Sequence, residues 1–120
     1  MCLCEFMHEH DVVADLVEML VEECQERSFE TIHRVTTELG ELTTFEEYPI
    51  QFYFDILKKD HPPLKESELI VNKVRGKVFC RTCGKENDID DPAIMLCPEC
   101  YSSDIEVIAG KDFIIKEIEV

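Results

Sequence analysis

The chain has 120 residues with 27 acidic against 12 basic side chains, a net charge of −15, so it can hold one compact domain with a modest core or a metal-stabilised insert, not two large domains. That charge argues against nucleic acid and anionic membrane surfaces as partners, because contacts to phosphate need Lys and Arg to displace counterions. No apolar run approaches the roughly 20 residues of a membrane span and no basic-then-apolar leader opens the chain, so a cytoplasmic protein is expected, its cysteines serving metal ligation or thiol chemistry rather than a disulfide framework.

The six residues FMHEHD at positions 6–11 set two imidazoles beside two carboxylates just ahead of an apolar repeat. By themselves they suit the solvated first turn of a helix, where Glu9 and Asp11 favour the positive end of the dipole, as well as they suit a metal site. From His8 to Gln25 there is no Gly or Pro, and Val12, Val13, Leu16, Val17, Leu20, Val21 and Cys24 recur at helical spacing, which predicts an amphipathic helix. The stretch Ile32–Leu39 alternates, with Val35, Thr37 and Leu39 on one side and Arg34, Thr36 and Glu38 on the other, and reads as a strand ending at Gly40. Pro49 suits the first turn of a second helix carrying Ile50, Tyr53, Phe54 and Leu57 on one face, and Pro62-Pro63 forbids its continuation. Leu69–Phe79 is rich in Ile, Val and Leu and runs as strand straight into Cys80, while Ile105–Val120 reads as two strands about Gly110-Lys111. The expected fold class is α+β: a small, mostly antiparallel sheet with two helices, plus an inserted zinc-ribbon-like Cys4 module. The strands flanking the module are expected to pair with the Ile32–Leu39 strand.

The segment CRTCGKENDIDDPAIMLCPEC places Cys80-x-x-Cys83 and, after thirteen intervening residues, Cys97-x-x-Cys100. Two residues between thiolates let one tight turn present both sulfurs to a single ion; Gly84 allows the positive φ such turns need, and Pro98 pre-sets φ in the second turn. Four thiolates fill a tetrahedral zinc shell and leave no position for water, which makes the site structural. Redox disulfides or a rubredoxin-like iron site share the spacing. Around the cysteines, Glu86, Asp88, Asp90, Asp91 and Glu99 outnumber Arg81 and Lys85, a surface that repels phosphate.

The Met-His-Glu opening, the amphipathic helix, LGEL at 39–42, FYFDIL at 52–57, the paired CxxC turns and the closing IAGKDFIIKEIEV together resemble the HypA family of nickel metallochaperones, which mature nickel-iron hydrogenases. The resemblance covers residues 7–120. It implies a nickel-binding α/β domain, residues 1–78 and 103–120 with 1–6 as an extension, and a zinc-binding module at 79–102. It implies nickel-binding residues Met7, His8 and Glu9, using the free amino terminus, backbone nitrogens and the imidazole, a nitrogen set that square-planar Ni(II) favours. It places structural Zn(II) on Cys80, Cys83, Cys97 and Cys100. His10 is expected to be solvated or to lie beyond the ligands.

The implied protein is no enzyme. Its implied partners are a nickel-handling GTPase and the hydrogenase large-subunit precursor, and a monomer or weak homodimer is expected. Family members usually begin at the Met, whereas MCLCEF precedes it here: either translation starts at Met7, the favoured arrangement, or Cys2 and Cys4 lend thiolates to a different site. Tyr101 stands where a Gly often follows the last zinc cysteine, so a locally different turn is expected there. The competing readings are a zinc-ribbon regulator of transcription, which the charge opposes, and a thiol-disulfide enzyme, which needs a CxxC at a helix N-terminus.

Overall fold

The computed structural model describes residues 9–89, 91 and 93–120. Helix α1, Glu9–Arg27, buries Val13, Leu16, Val17, Leu20 and Cys24, the stripe its spacing predicts. Strand β1, Arg34–Gly40, keeps Val35, Thr37 and Leu39 inside. Helix α2, Glu47–Leu57, buries Ile50 and Phe54 and packs on α1. Two single 3-10 turns, Lys58–Asp60 and Pro62–Leu64, follow, because the proline pair ends the helix without preventing a tight turn.

Strands β2 (Glu68–Val74), β3 (Gly76–Cys80), β4 (Glu86–Ile89), β5 (Ile105–Ala109) and β6 (Phe113–Glu119) complete the chain. They form two three-stranded sheets, ordered β2-β1-β6 and β4-β3-β5. In the first, Glu68 N–H donates to His33 C=O and Glu41 N–H to Val74 C=O, so β1 and β2 run parallel, joined by the α2 crossover that such a pair requires. His33 N–H donates to Glu119 C=O and Gly40 N–H to Asp112 C=O, which makes β6 antiparallel to β1. Both pairings of the second sheet are antiparallel. The α+β class with mostly antiparallel pairing is therefore observed.

Three details differ from the sequence reading. Leu69–Phe79 is not one strand: the chain breaks at Arg75, and its halves join different sheets. β4 was not foreseen, because ENDI carries three polar residues in four and shows no apolar alternation; only Ile89 is buried. Of the flanking strands, β2 and β6 pair with β1, while β3 and β5 pair with each other.

The chain divides into two compact units. Phe45–Ile70, Ile115–Val120 and the described residues before Glu38 make one; Glu38–Thr44 and Val71–Ile114 make the other. The first has the larger core, with Val13, Leu20, Ile32, Val35, Ile50, Phe54 and Leu64 sealed from solvent. Its buried polar groups are bonded: Thr37 Oγ1 donates to Ile70 C=O at 2.8 Å, and Ser67 Oγ donates to Ile32 C=O. The second has a small core of Leu39, Val78, Ile89, Cys80 and Cys97. There Gly110, at φ +80°, sits so close to the Arg75 carbonyl that a Cβ would lie 2.6 Å from its oxygen, which fixes glycine at the β5–β6 turn.

Candidate metal centre

Each CxxC pair folds into the same hydrogen-bonded turn. Cys80 N–H donates to Lys85 C=O at 2.9 Å while Gly84 N–H donates back to Cys80 C=O at 2.8 Å. In the second turn Cys97 N–H donates to Ser102 C=O and Tyr101 N–H to Cys97 C=O, both at 2.9 Å. Both turns need a left-handed residue after the second cysteine, and Gly84 has φ +73° and Tyr101 φ +60°. The locally different turn expected at Tyr101 is thus not found: the turn is the same, and a bulky side chain holds a conformation that costs an L-residue roughly 1–2 kcal/mol.

The two turns face one another. Cys80 Sγ lies 3.5 Å from Cys100 Sγ, Cys83 Sγ lies 3.7 Å from Cys97 Sγ, and all four sulfurs fall within 4.8 Å of each other. A tetrahedral zinc with bonds of about 2.3 Å holds its sulfurs about 3.8 Å apart, so this set fits zinc with little adjustment. The chemistry of the donors agrees, four soft thiolates and no carboxylate or imidazole among them. Among the described residues these four cysteines are the sole such cluster of metal-binding side chains.

The sulfurs differ in acidity. The Cys83 backbone N–H, 3.4 Å away, stabilises the Cys80 thiolate and lowers its pKa to about 6. The Cys100 backbone N–H does the same for Cys97, which is also lowered. At Cys100 the Ser102 backbone N–H pulls downward, but the neighbouring Cys80 sulfur, burial and the other two cysteines outweigh it and push the thiol up to about 12. Cys83 likewise rises: the Lys85 amide lowers it, while burial and hydrogen bonds with Cys80 and Cys97 prevail. Without an ion, two sulfurs favour the thiolate and two keep their protons to share with them; a divalent cation replaces those protons.

A ring of polar contacts, unforeseen in the sequence, holds the two turns in place. Thr82 Oγ1 and Ser102 Oγ are 2.9 Å apart, Arg81 pairs with Asp104 at 2.9 Å, and Lys85 pairs with Glu99 at 3.2 Å, which raises the lysine pKa through that hydrogen bond and charge. Asn87 Nδ2 approaches Cys97 Sγ at 3.9 Å from β4. The one sequence signal for these links was that Arg81 and Lys85 stood alone amid acidic residues, so each had to find a carboxylate.

Of the residues implied to bind nickel, Met7 and His8 lie outside the described residues, and Glu9 opens α1. His10 is half exposed; its ring meets that of Tyr53 edge-on at 5.2 Å, and its Nδ1 lies 3.6 Å from the Asp11 carboxylate. In the same unit, Ala14, Val17 and Val21 of α1 line an open groove of about 410 Å³ with Leu57 and His61, and Glu18 and Glu22 form its rim. No helix among the described residues is long and apolar enough to cross a membrane.

Comparison with known proteins agrees along almost the whole chain. The hydrogenase maturation factor HypA of Caldanaerobacter subterraneus subsp. tengcongensis is 36% identical over 115 residues, covering 95% of this chain and 99% of that one. HypA of Aquifex aeolicus is 28% identical over 114 residues, covering 95% and 97%. The solution structure of the nickel metallochaperone HypA from Helicobacter pylori shares the fold at a TM-score of 0.71, with 19% identity over 94% of this chain and 97% of that one. The model of the family described as hydrogenase/urease nickel incorporation metallochaperone HypA matches residues 7–120, and the chain belongs to that family.

Proposed function

We propose that this chain binds one Ni(II) at its N-terminal Met7-His8-Glu9 stretch and hands it on for hydrogenase maturation, while Cys80, Cys83, Cys97 and Cys100 hold a structural zinc. The observation that carries the reading is the family match, which begins at Met7 itself. The ligand chemistry supports it: a terminal amine at Met7, an amide and the His8 imidazole form one short chelate of the nitrogen donors that square-planar Ni(II) prefers. Bound zinc would cross-link the two turns and supply no open coordination position, so this site does no chemistry on the cargo. Functionally, residues 79–102 act as the zinc-binding module, and 1–78 with 103–120 as the nickel-binding part.

The activity is capture and transfer in the cytoplasm, without covalent catalysis. The donor-side partner is a nickel-handling GTPase and the acceptor is the hydrogenase large-subunit precursor. The groove rimmed by Glu18 and Glu22, on the helix that Glu9 opens, is the partner contact.

Metal analysis with nickel titration tests the reading on chains beginning at Met7 and at Met1. The chain beginning at Met7 is expected to take one nickel beside one zinc. In it His8→Ala abolishes specific nickel binding, His10→Ala weakens it little, and zinc content is unchanged in both. Tight nickel binding by His8→Ala removes the proposed ligand set, and zinc without nickel in the parent leaves a zinc-ribbon interaction module.

A further inference from the structure

The second CxxC turn contains a residue that the turn does not need. At the equivalent position of the first turn the fold uses Gly84, where an added Cβ would meet no atom within 4 Å and where glycine adopts φ +73° without strain. Tyr101 adopts φ +60° against the preference of every L side chain, and burial of its ring does not compensate, since it is 76% exposed. What the ring does is wall an open cleft of about 340 Å³ with Ile89, Ile94, Leu96 and Pro98, backed by Cys97. Ile94 is 60% exposed, and Leu96 and the adjoining Met95 are also exposed. A strained aromatic and an exposed Ile-Met-Leu run in one small module is an apolar surface that folding leaves uncovered.

The charge around the cleft restricts what covers it. Residues 86–104 contain Glu86, Asp88, Asp90, Asp91, Glu99 and Asp104 and not one Lys or Arg. Of the bases flanking that run, Lys85 pairs with Glu99 at 3.2 Å, Arg81 pairs with Asp104 at 2.9 Å, and Lys77 of β3 lies across from Asp88. Asp88 and Asp91 stand on the cleft itself; Arg75 reaches Asp88 at 3.8 Å, and Asp91 Oδ1 accepts the Ala93 N–H at 2.9 Å. A second copy of this chain, at −15, would bring the same charge to the same place, and nucleic acid is repelled.

We propose that the cleft between Ile94, Leu96, Pro98 and Tyr101 is a docking site for an extended segment of a partner protein carrying a large apolar side chain flanked by lysine or arginine. The apolar side chain enters against the Tyr101 ring, and the flanking cations meet Asp88 and Asp91. The strained aromatic is then kept for recognition, as interface anchors are enriched in tyrosine. The cleft shares no residue with the proposed nickel ligands, so its test is independent of nickel binding.

The probe is a synthetic peptide, Lys-Lys-Phe-Leu-Lys-Lys with blocked ends, titrated into the zinc-loaded full chain labelled with nitrogen-15. Saturable shifts are expected at the amides of Ile89, Ile94, Leu96 and Tyr101, weakening with salt. Tyr101→Gly is expected to keep its zinc and lose about tenfold in affinity, the effect of one large apolar contact. Asp91→Lys is expected to weaken binding as well, and a peptide with serine in place of phenylalanine to bind poorly. Zinc content measured on each variant separates loss of the cleft from loss of the module. Shifts spread over the acidic surface and equal for the serine peptide would mean charge attraction alone, and absent shifts no site; either overturns the proposal. So would a Tyr101-dependent dimer in sedimentation, which assigns the cleft to a second copy.

Discussion

At Cys80 and Cys100 two sulfurs 3.5 Å apart hold their protons very differently, at about 6 and about 12, because the Cys83 amide serves the first while its thiolate neighbour burdens the second. Zinc requires all four as thiolates, so its uptake must expel whatever protons remain. Near pH 8, Cys83 and Cys100 still carry theirs, and about two to three protons should be released per zinc; below the Cys80 value the release should rise as Cys80 takes up its proton too. Apparent zinc affinity should therefore fall as pH drops, and more steeply below about pH 6, where Cys80 also takes up a proton. Competition with a chromophoric chelator across pH 5–8 measures the slope; a uniform slope near four (about one proton per thiol) would show that no thiolate is preformed. A second residue-scale expectation concerns Thr37. Its side chain is fully buried and donates to the Ile70 carbonyl, so Thr37→Val should cost about 1 kcal/mol in urea unfolding by stranding that acceptor.

At the scale of elements, α1 and α2 close the first unit by burying one stripe each, and α2 contributes only Ile50 and Phe54 in full. Phe54→Ala should therefore cost about 3–5 kcal/mol, a large part of a small domain's stability, and lower the thermal midpoint followed by circular dichroism. The exposed face of α1 is the proposed partner contact. Glu18 and Glu22, four residues apart and hence on one side of the helix, rim the groove floored by Val17 and Val21. If the proposed partner is a nickel-handling GTPase, reversing both to lysine should leave zinc content and stability unchanged while weakening that association; unaltered binding in a pull-down between purified proteins would remove this face from the proposed contact.

For the whole molecule, the two units depend on different forces. The first has a hydrophobic core of large side chains; the second seals little beyond Leu39, Val78, Ile89 and two of its own cysteines, too little to hold a sheet and two CxxC turns unaided. Structural zinc contributes roughly 10–16 kcal/mol in zinc-finger peptides, and held by the four cysteines it would join turns that are otherwise linked by exposed ion pairs of small individual worth. Strong chelation, or Cys83→Ala, should abolish amide protection across residues 78–102 while α1 and the Ile32–Leu39 strand stay protected in hydrogen exchange. Protection that survives chelation at 78–102 would show that the polar ring suffices without metal.

Local chemistry and periodicity in the sequence determined much of this: the α1 stripe, the inward set Val35, Thr37 and Leu39, the proline stop after α2, and the gathering of the four cysteines into one cluster. These were legible because a helix repeats every 3.6 residues, a strand every two, and a CxxC turn can aim both sulfurs at one point. Pairing was not legible. Leu69–Phe79 reads as one apolar run, with β-branched residues on both sides of Arg75 (Ile70, Val71 and Val74; Val78), and only Gly76 stands beside the break between the two sheets. β4 exists because β3 offers an edge to a polar segment that has no strand pattern of its own. The unequal acidities of the sulfurs, the Arg81, Lys85 and Asn87 contacts, and the left-handed Tyr101 beside an apolar cleft arise only when residues 10 to 23 apart in the chain are brought together. A single sequence carries no term for such distances: its local preferences choose elements, while the registers between them depend on which long-range contacts can be satisfied at once.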